Sequence, residues 1–141
     1  METIKITKAD LDENNFYKHS ESLISEGNIK IESNLTHVKF KKSIFAKGHI
    51  LVEAGSGIKA GEGIKAGEGI EAGLGIRAGW GIEAGEGIQA GLGIMTHLNG
   101  ISAKFILCLR VAAGFNNEKE QKIKAEIRKG IVILGKVTEA I

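Results

Sequence analysis

The chain of 141 residues contains no proline and one cysteine, Cys108, and aromatic residues make up only 5% of it. A single cysteine excludes an internal disulfide and favours a reducing compartment. Because proline is absent, the 20 glycines are not those of a Pro/Gly-rich disordered linker. The composition therefore indicates one folded domain, long enough to bury a core without metals or disulfides.

The net charge is also small, and the apolar runs are short. The formal net charge is +2 at pH 7, too little to indicate nucleic acid or a membrane surface as a partner. The longest apolar run, 105–109, is far shorter than the ~20 residues that cross a bilayer. The N-terminus lacks the apolar stretch of a signal peptide. We therefore expect a soluble cytoplasmic protein with no membrane contact and no direct nucleic-acid binding.

A strict six-residue repeat, Gly-Ile-x-Ala-Gly-x, runs from Gly57 to Gly91 and decays through Gly93-Ile94-Met95-Thr96. A period of six is neither that of an α-helix nor that of a long alternating strand. Two glycines in every six residues would each cost a helix about 1 kcal/mol. The repeat is instead typical of an all-β fold, a single-stranded parallel β-helix in which each hexapeptide is one short strand and a corner.

Each position of the hexapeptide has a physical role in that fold. Side chains alternate sides along a strand, so the isoleucine and the alanine two residues later both point inward. The residue between them points to solvent. The glycines are expected at the corners, where positive φ or close backbone packing excludes a Cβ atom. The inward isoleucines are Ile58, Ile64, Ile70, Ile76, Ile82, Ile88 and Ile94.

Two coil lengths fit the repeat. If three hexapeptides make one coil, Leu74 stacks under Leu92 and Lys65 lies beside Glu83 as a favourable pair. If two hexapeptides make one coil, Lys65 stacks on Arg77 instead. The three-sided, 18-residue coil is favoured, because its wider core is easier to fill with isoleucine.

Weaker versions of the pattern flank the regular repeats. Upstream, the same in-out-in form occurs with bulkier residues at 29–31, 38–40, 44–46 and 52–54. Downstream, the sequence predicts a longer strand over 103–111, a polar loop over 116–121, and two further strands over 123–127 and 130–134. The expected single domain thus comprises an N-terminal cap (1–27), β-helix repeats (28–102, most regular over 57–96) and C-terminal strands (103–141).

A β-helix has to close its ends, because an open coil exposes unpaired strand edges and apolar side chains. At the N-terminus we expect a strand over 4–6 and a helical turn opened by Thr7, with Asp10 three residues on as in a capping box. The C-terminal strands are expected to cap the other end. If either cap is incomplete, its edge becomes a surface for self-association.

Residues that carry chemistry are scattered along the chain. The four histidines show no HxH or HExxH spacing, and Cys108 has no CxxC partner. Hexapeptide acyltransferases also use six-residue β-helix repeats, but they place a small residue two before the aliphatic one, whereas here alanine follows isoleucine by two. His49 or His97 would have to supply their active-site histidine. We therefore expect no catalytic, cofactor-binding or metal-binding residue, and we keep such an enzyme as a remote alternative.

The residue that follows the second glycine of each repeat points outward at a corner. Exposed tryptophan and leucine among charges indicate a contact patch, because tryptophan is over-represented at binding hot spots. The alternative is that the terminal segments cover these corners. The candidate protein-binding residues are Trp80, Leu74, Leu92, Glu62, Glu68 and Glu86.

Two resemblances carry the functional expectation. The run from Ile29 to Ala90 resembles the bactofilins, bacterial cytoskeletal proteins with an 18-residue, three-sided β-helix that polymerise end to end. The opening IKITKADLDENNFYKHS, the FKKSIFAKGHI segment and the GIEAG repeats make the whole chain similar to small Gly-Ile hexapeptide-repeat proteins of gut bacteria and their phages. Compact phage proteins of this size often block bacterial immunity, as anti-CRISPR proteins do.

The resemblances imply a non-catalytic protein rather than an enzyme. The expected function is a protein-binding β-helix, an anti-CRISPR-like inhibitor of a bacterial defence nuclease complex that acts by steric occlusion. The alternative is a bactofilin-like structural protein that associates with itself through its coil ends.

Overall fold

The computed structural model describes residues 2–114, 117, 119 and 121–138. Within these residues the chain forms a turn of 3-10 helix at Lys8–Asp10 and sixteen strands that wind into a parallel β-helix of about five turns. The strands are β1 (Thr3–Ile6), β2 (Leu23–Ser25), β3 (Asn28–Ile31), β4 (Thr36–Phe40), β5 (Ile44–Ala46), β6 (Ile50–Val52), β7 (Ser56–Ala60), β8 (Ile64–Ala66), β9 (Ile70–Ala72), β10 (Ile76–Ala78), β11 (Ile82–Ala84), β12 (Gly87–Ala90), β13 (Gly93–Thr96), β14 (Ile101–Ala112), β15 (Lys122–Leu134) and β16 (Lys136–Thr138).

The strands stack into three parallel ladders, which form the three faces of a triangular rod. The first face contains β1, β3, β6, β9 and β12, the second β4, β7, β10 and β13, and the third β2, β5, β8 and β11. Strand β14 is long enough to continue all three ladders in turn, and β15 pairs with it along the same faces. The all-β, three-sided fold predicted from the repeat is therefore confirmed.

The register of the ladders shows that three hexapeptides make one regular coil. Ile58, Ile76 and Ile94 are stacked partners on the second face. On the third face Lys65 lies opposite Glu83, with 4.0 Å between Nζ and Oε1. A coil of two hexapeptides would have placed Lys65 and Glu83 on different ladders and is wrong.

The core is built from the two inward positions of each strand. The isoleucine and alanine of every regular repeat are buried, with exposed fractions between 0% and 5%. In the earlier coils bulkier pairs such as Val38 with Phe40 take these positions. Burying each large aliphatic side chain contributes about 1.5–3 kcal/mol, so the stacked isoleucines supply most of the hydrophobic stabilisation.

The two glycines of each repeat serve different purposes, and neither has positive φ. We call the one directly after the alanine the post-alanine glycine, and the one before the isoleucine the pre-isoleucine glycine. A Cβ atom on the post-alanine Gly85 would lie 2.0 Å from the carbonyl oxygen of Gly67 in the preceding coil. The pre-isoleucine glycines vary: at Gly63 the nearest heavy atom is 3.7 Å away, the widest clearance among them, whereas at Gly87 it is the Phe105 ring at 2.1 Å. Close backbone packing therefore explains the post-alanine glycines.

The corner between the first and second faces is wider in the early coils. Strand β6 ends at Val52, and both Ile50 and Val52 point inward. The in-out-in strand predicted over 52–54 is wrong, because Ala54 is exposed in a turn where Gly55 has a φ of 79°. This corner contains two residues more than the same corner in the regular repeats. The strand therefore lies two residues earlier than the six-residue spacing predicts.

A buried hydroxyl group closes this wider corner. The Ser56 side chain is fully buried, and its Oγ accepts a hydrogen bond from the Leu35 N–H at 2.9 Å. The same hydroxyl donates to the Glu32 carbonyl oxygen at 2.6 Å. The polar atoms that the additional residues bury are thus satisfied. This avoids the cost of about 1–3 kcal/mol that an unpaired buried group would carry.

At the N-terminal end the predicted turn after Thr7 is present as the single turn of 3-10 helix. The Thr7 N–H donates to Oδ2 of Asp10 at 2.9 Å, as expected from the capping-box spacing. Leu11 is buried, and the Tyr17 ring packs on Phe40 with 5.3 Å between the ring centroids. The segment predicted as a cap, 1–27, also supplies β1 and β2, which are the first strands of the first and third faces.

At the C-terminal end the predicted strands continue the coil. The strand predicted over 103–111 is β14. The two strands predicted over 123–127 and 130–134 are wrong in one respect, because they form the single strand β15, whose register shifts against β14 let it turn two corners. In the described part of the chain only the start of β15 pairs with β16, so its outer edge over 126–134 has no strand partner. The polar loop predicted over 116–121 lies mostly outside the described residues.

Candidate functional site

The six candidate binding residues lie along three different corners of the rod. Leu74 and Leu92 stack at the corner between the first and second faces, where the Leu92 N–H donates to the Leu74 carbonyl oxygen at 3.1 Å. Trp80 and Glu62 stack at the corner between the second and third faces, and Glu68 and Glu86 at the corner between the third and first. The structure therefore does not bring all six together.

The leucine corner is longer than the sequence predicted. The Leu109 N–H donates to the Leu92 carbonyl oxygen at 2.8 Å, which places Leu109 next in the stack. Leu92 is 43% exposed and Leu109 is 49% exposed, whereas Leu74 is half-buried. Leu109 escaped prediction because it follows the regular repeats, in a segment with no glycine to mark the corner.

Trp80 also has an apolar neighbour on its corner. The Trp80 side chain is 47% exposed, and the adjacent Leu98 is 43% exposed, its N–H bonded to the Gly79 carbonyl oxygen. Glu62 precedes Trp80 in the stack, but its Oε1 accepts a hydrogen bond from the Ser43 hydroxyl at 3.2 Å and so turns towards the third face. Trp80 and Leu92 are thus exposed, and the described terminal segments leave them open to a partner.

The acidic corner is occupied by local pairing. The Glu68 Oε2 atom lies 2.7 Å from Nε2 of His49, and the Gly69 N–H donates to Nδ1 of the same ring at 3.2 Å. Both nitrogens of His49 are therefore engaged, which leaves none free to act as a base on a bound molecule. Glu86 is exposed one coil further on, away from the leucine and tryptophan corners.

A shallow groove runs along each face, because the pre-isoleucine glycines carry no side chain there. The grooves of the first, second and third faces have volumes of about 410, 380 and 580 Å³. On the first face the Phe105 ring covers Gly87, since a Cβ atom on that glycine would lie 2.1 Å from Cζ of Phe105. The three grooves thus differ in their linings, because different aromatic rings or charged side chains reach each of them from neighbouring strands.

The second face and its two corners carry most of the large hydrophobic side chains that are exposed in the described chain. Eight large hydrophobic side chains are exposed in the described chain, and six of them lie on the C-terminal part of this face or at its two corners. Ile131 and Ile133, on β15, are 69% and 60% exposed and continue the face beyond Met95. We call this set the apolar half of the second face: Trp80, Leu92, Leu98, Leu109, Ile131 and Ile133.

The N-terminal part of the same face is basic. Lys39, Lys59 and Arg77 are consecutive register partners on β4, β7 and β10, and all three point outward. In the described part of the chain none of them forms an ion pair, although Lys39 lies 5.5 Å above the Phe16 ring. We call these three residues the cation ladder.

His37 lies beside the cation ladder at the end of the groove. Its ring lies over the floor of the groove, since a Cβ atom on Gly57 would be 2.8 Å from Cδ2 of His37. Burial lowers the pKa of His37, and the nearby charges of Arg77, Lys39 and Lys59 lower it further. At neutral pH the ring is therefore a neutral neighbour of three cations.

Cys108 lines none of these three grooves. Cys108 is 4% exposed in the core, and burial raises the pKa of its thiol. Among the described residues no group of three or more His, Cys, Asp or Glu side chains is arranged to hold a metal ion. The site with the most unpartnered surface is thus the second face.

Comparison with known proteins gives no relative: no family model matches the chain, and no curated protein or solved structure is significantly similar to it. Across the described residues no helix has the length and hydropathy needed to cross a membrane.

Proposed function

We propose that this chain is a non-catalytic protein-binding β-helix whose contact surface is the second face. The observation that carries the proposal is the apolar half of that face, where six of the eight exposed large hydrophobic side chains are gathered. A soluble protein rarely leaves such a cluster exposed without a partner. Trp80 supplies the aromatic anchor that binding hot spots favour.

The proposed mode of action is steric occlusion. A continuous ladder of paired strands runs along each face of the rod, so the chain presents a preformed surface and loses little conformational entropy of its own on binding. The resemblance to phage-borne repeat proteins makes a bacterial defence nuclease complex the first partner to test, as expected for an anti-CRISPR-like inhibitor. The role is that of a blocking surface, without turnover.

The experiment is binding of the immobilised chain to purified CRISPR nuclease complexes, measured by biolayer interferometry. The double variant W80A/L92A should bind about 30-fold more weakly, since a hot-spot truncation costs ~2 kcal/mol or more. The matched control is Ile24→Ala, which removes an exposed isoleucine from the third face and should bind like the wild type. An unchanged affinity for W80A/L92A, with an unchanged melting temperature, would contradict the proposed surface. Binding to none of the complexes would contradict the inhibitor role.

A second candidate function, end-to-end polymerisation, is favoured by the outer edge of β15. Over 126–134 this edge has no strand partner in the described part of the chain, and such edges readily pair with another chain. The ends also differ in charge: residues 2–26 contain six acidic side chains and three lysines, whereas residues 101–138 contain eight basic and three acidic ones. Opposite ends of two copies would therefore attract each other.

Sedimentation velocity over a range of concentrations, with negative-stain microscopy of the same samples, tests this second function. Wild-type chains should form filaments that lengthen with concentration, and the edge variant I131K/I133K should remain monomeric. The control Ile24→Lys adds charge at an exposed isoleucine that is not on this edge. A wild-type chain that stays monomeric at every concentration would refute polymerisation.

A further inference from the structure

The cation ladder is the longest run of like charges among the outward strand residues of the three faces in the described chain, although Lys5 and Lys30 also stack at the start of the first face. On the third face the corresponding pair is Lys65 with Glu83, which attract each other across adjacent coils. On the first face Lys30 is paired with Glu53, with 3.4 Å between Nζ and Oε1. Opposite or neutral neighbours are what stacked strands favour, because like charges directly opposite one another destabilise a sheet.

On the second face the like charges are adjacent and unopposed. Lys59 lies between Lys39 and Arg77, and neighbouring strands are about 4.8 Å apart. No carboxylate in the described part of the chain lies within ion-pair distance of any of the three. An anionic partner would relieve this repulsion.

The cation ladder and the apolar half form one continuous strip. Arg77 is followed on its ladder by Met95, and Ile133 lies over the next coil at the end of the same groove. The groove is floored by Gly75 and Gly93 and is lined by these side chains. Arg110 also lines the groove, beside Gly93, so a ligand that lies along it would meet the cation ladder first and afterwards apolar side chains with one further cation among them.

We propose that the second face binds an extended acidic segment of a protein, whose carboxylates pair with Lys59 and Arg77 and whose apolar side chains cover Met95 and Ile133. This inference rests on the proposed protein-binding function and names the chemistry of its partner. Side chains on one side of an extended segment are ~7 Å apart, whereas the three cations lie on successive strands about 4.8 Å apart. The cation ladder is therefore long enough to receive two carboxylates from the same side of the segment.

A protein segment fits this strip better than a nucleic-acid backbone does. Phosphates would pair with the cation ladder, but they offer nothing to the leucines and isoleucines at the other end of the strip. Base stacking needs aromatic platforms, and the apolar half contains one aromatic residue, Trp80, at its corner. Acidic residues followed by aliphatic ones on the same side of an extended segment satisfy both ends.

The test is fluorescence anisotropy of the full chain with three labelled probes. They are a decapeptide whose alternate residues are glutamate in one half and leucine in the other, with serine between them, the same peptide with glutamine for glutamate, and a single-stranded oligothymidylate of similar length. The acidic peptide should bind at low salt, and the variant K59E/R77E should bind it at least about tenfold more weakly. The matched control K5E/K104E makes the same change in net charge at exposed lysines off this face and should bind as the wild type does.

Each contrary outcome overturns the inference. Equal binding of the glutamine peptide would show that the carboxylates are not recognised. Tighter binding of the oligothymidylate, lost in K59E/R77E, would show a nucleic-acid surface instead. No binding of the acidic peptide would also refute it. Because W80A/L92A tests the apolar half separately, loss of nuclease binding in that variant together with no effect of K59E/R77E would leave the proposed function standing and remove this inference alone.

Discussion

Gly79 lies directly above Gly61 in the preceding coil, so closely that a Cβ atom on Gly79 would be 2.0 Å from the Gly61 carbonyl oxygen. The Gly79 N–H donates to the Ala60 carbonyl oxygen at 2.9 Å, which fixes the spacing of the two coils at this corner. The same approach recurs at the post-alanine glycines of the neighbouring repeats. In each coil the corner backbone thus packs directly on the corner backbone of the coil before it.

We therefore expect Gly79→Ala to destabilise the chain by about 1–3 kcal/mol, the usual cost of inserting a methyl group where backbone cannot yield. The measurement is the free energy of unfolding in urea. The matched control is Gly63→Ala, where a Cβ atom has its nearest heavy atom at 3.7 Å and a φ that alanine can adopt. Removing a glycine there should be neutral or slightly stabilising. Equal losses in the two variants would contradict the distinction between the two kinds of glycine.

The pair of Lys65 and Glu83 predicts a small but specific coupling. Both side chains are more than half exposed, so the attraction across 4.0 Å is screened and worth about 0.2–1 kcal/mol. Lys65→Glu should lower the free energy of unfolding by placing two carboxylates on adjacent rungs, and the exchange K65E/E83K should restore it. A double-mutant cycle with no coupling energy would show that the pair is not formed in solution.

His37 predicts a pH dependence with a defined sign. Because burial and the adjacent cations lower its pKa below the usual 6.5, the folded state binds fewer protons at this ring than the unfolded state does. Its contribution to stability is therefore fully present above pH 6.5 and is lost as the pH falls below that value. The unfolding free energy of the wild type, measured against His37→Gln, should fall between pH 7 and pH 5. A relative gain over this range would show the opposite shift.

Cys108 should be protected while the chain is folded. The thiol is 4% exposed and its pKa is raised by burial, so little reactive thiolate is present or accessible. With a disulfide-forming colorimetric reagent at pH 8, the native chain should react at least ~100-fold more slowly than the chain in urea. Rapid labelling of the native chain would mean that β14 opens frequently.

The repeat made the central architecture predictable. Isoleucine and alanine two residues apart, with glycines at fixed positions, determine which side chains point inward. The wider core of a coil of three hexapeptides favoured it over a coil of two, and the register of Lys65 with Glu83 confirms that choice. The Thr7 to Asp10 spacing likewise located the N-terminal turn correctly. These features depend on local chemistry, which a single sequence contains.

Features that depend on distant coils were not predictable. The strand predicted over 52–54 lies at 50–52, because one corner contains two additional residues. That wider corner is closed by the hydrogen bond between Leu35 and Ser56, which meet only after folding. The candidate residues were chosen by their position in the repeat, and that position places Trp80 and Leu92 at opposite corners of one face. Leu109, Ile131 and Ile133 join that face only through the long strands β14 and β15.

The number of hexapeptides in this rod can change only by multiples of three if the downstream residues are to stay on their own faces. Adding or deleting three hexapeptides inside 57–91 would change its length by one rung, about 4.8 Å, and leave every downstream residue on its own face. A single inserted hexapeptide would instead turn the whole C-terminal part by one third of a revolution. Lys59 and Ile133 would then face different directions, although each would keep its local packing. A folding assay would not detect this rotation of the C-terminal part. A binding surface that combines residues from the two parts of the rod would nevertheless be lost.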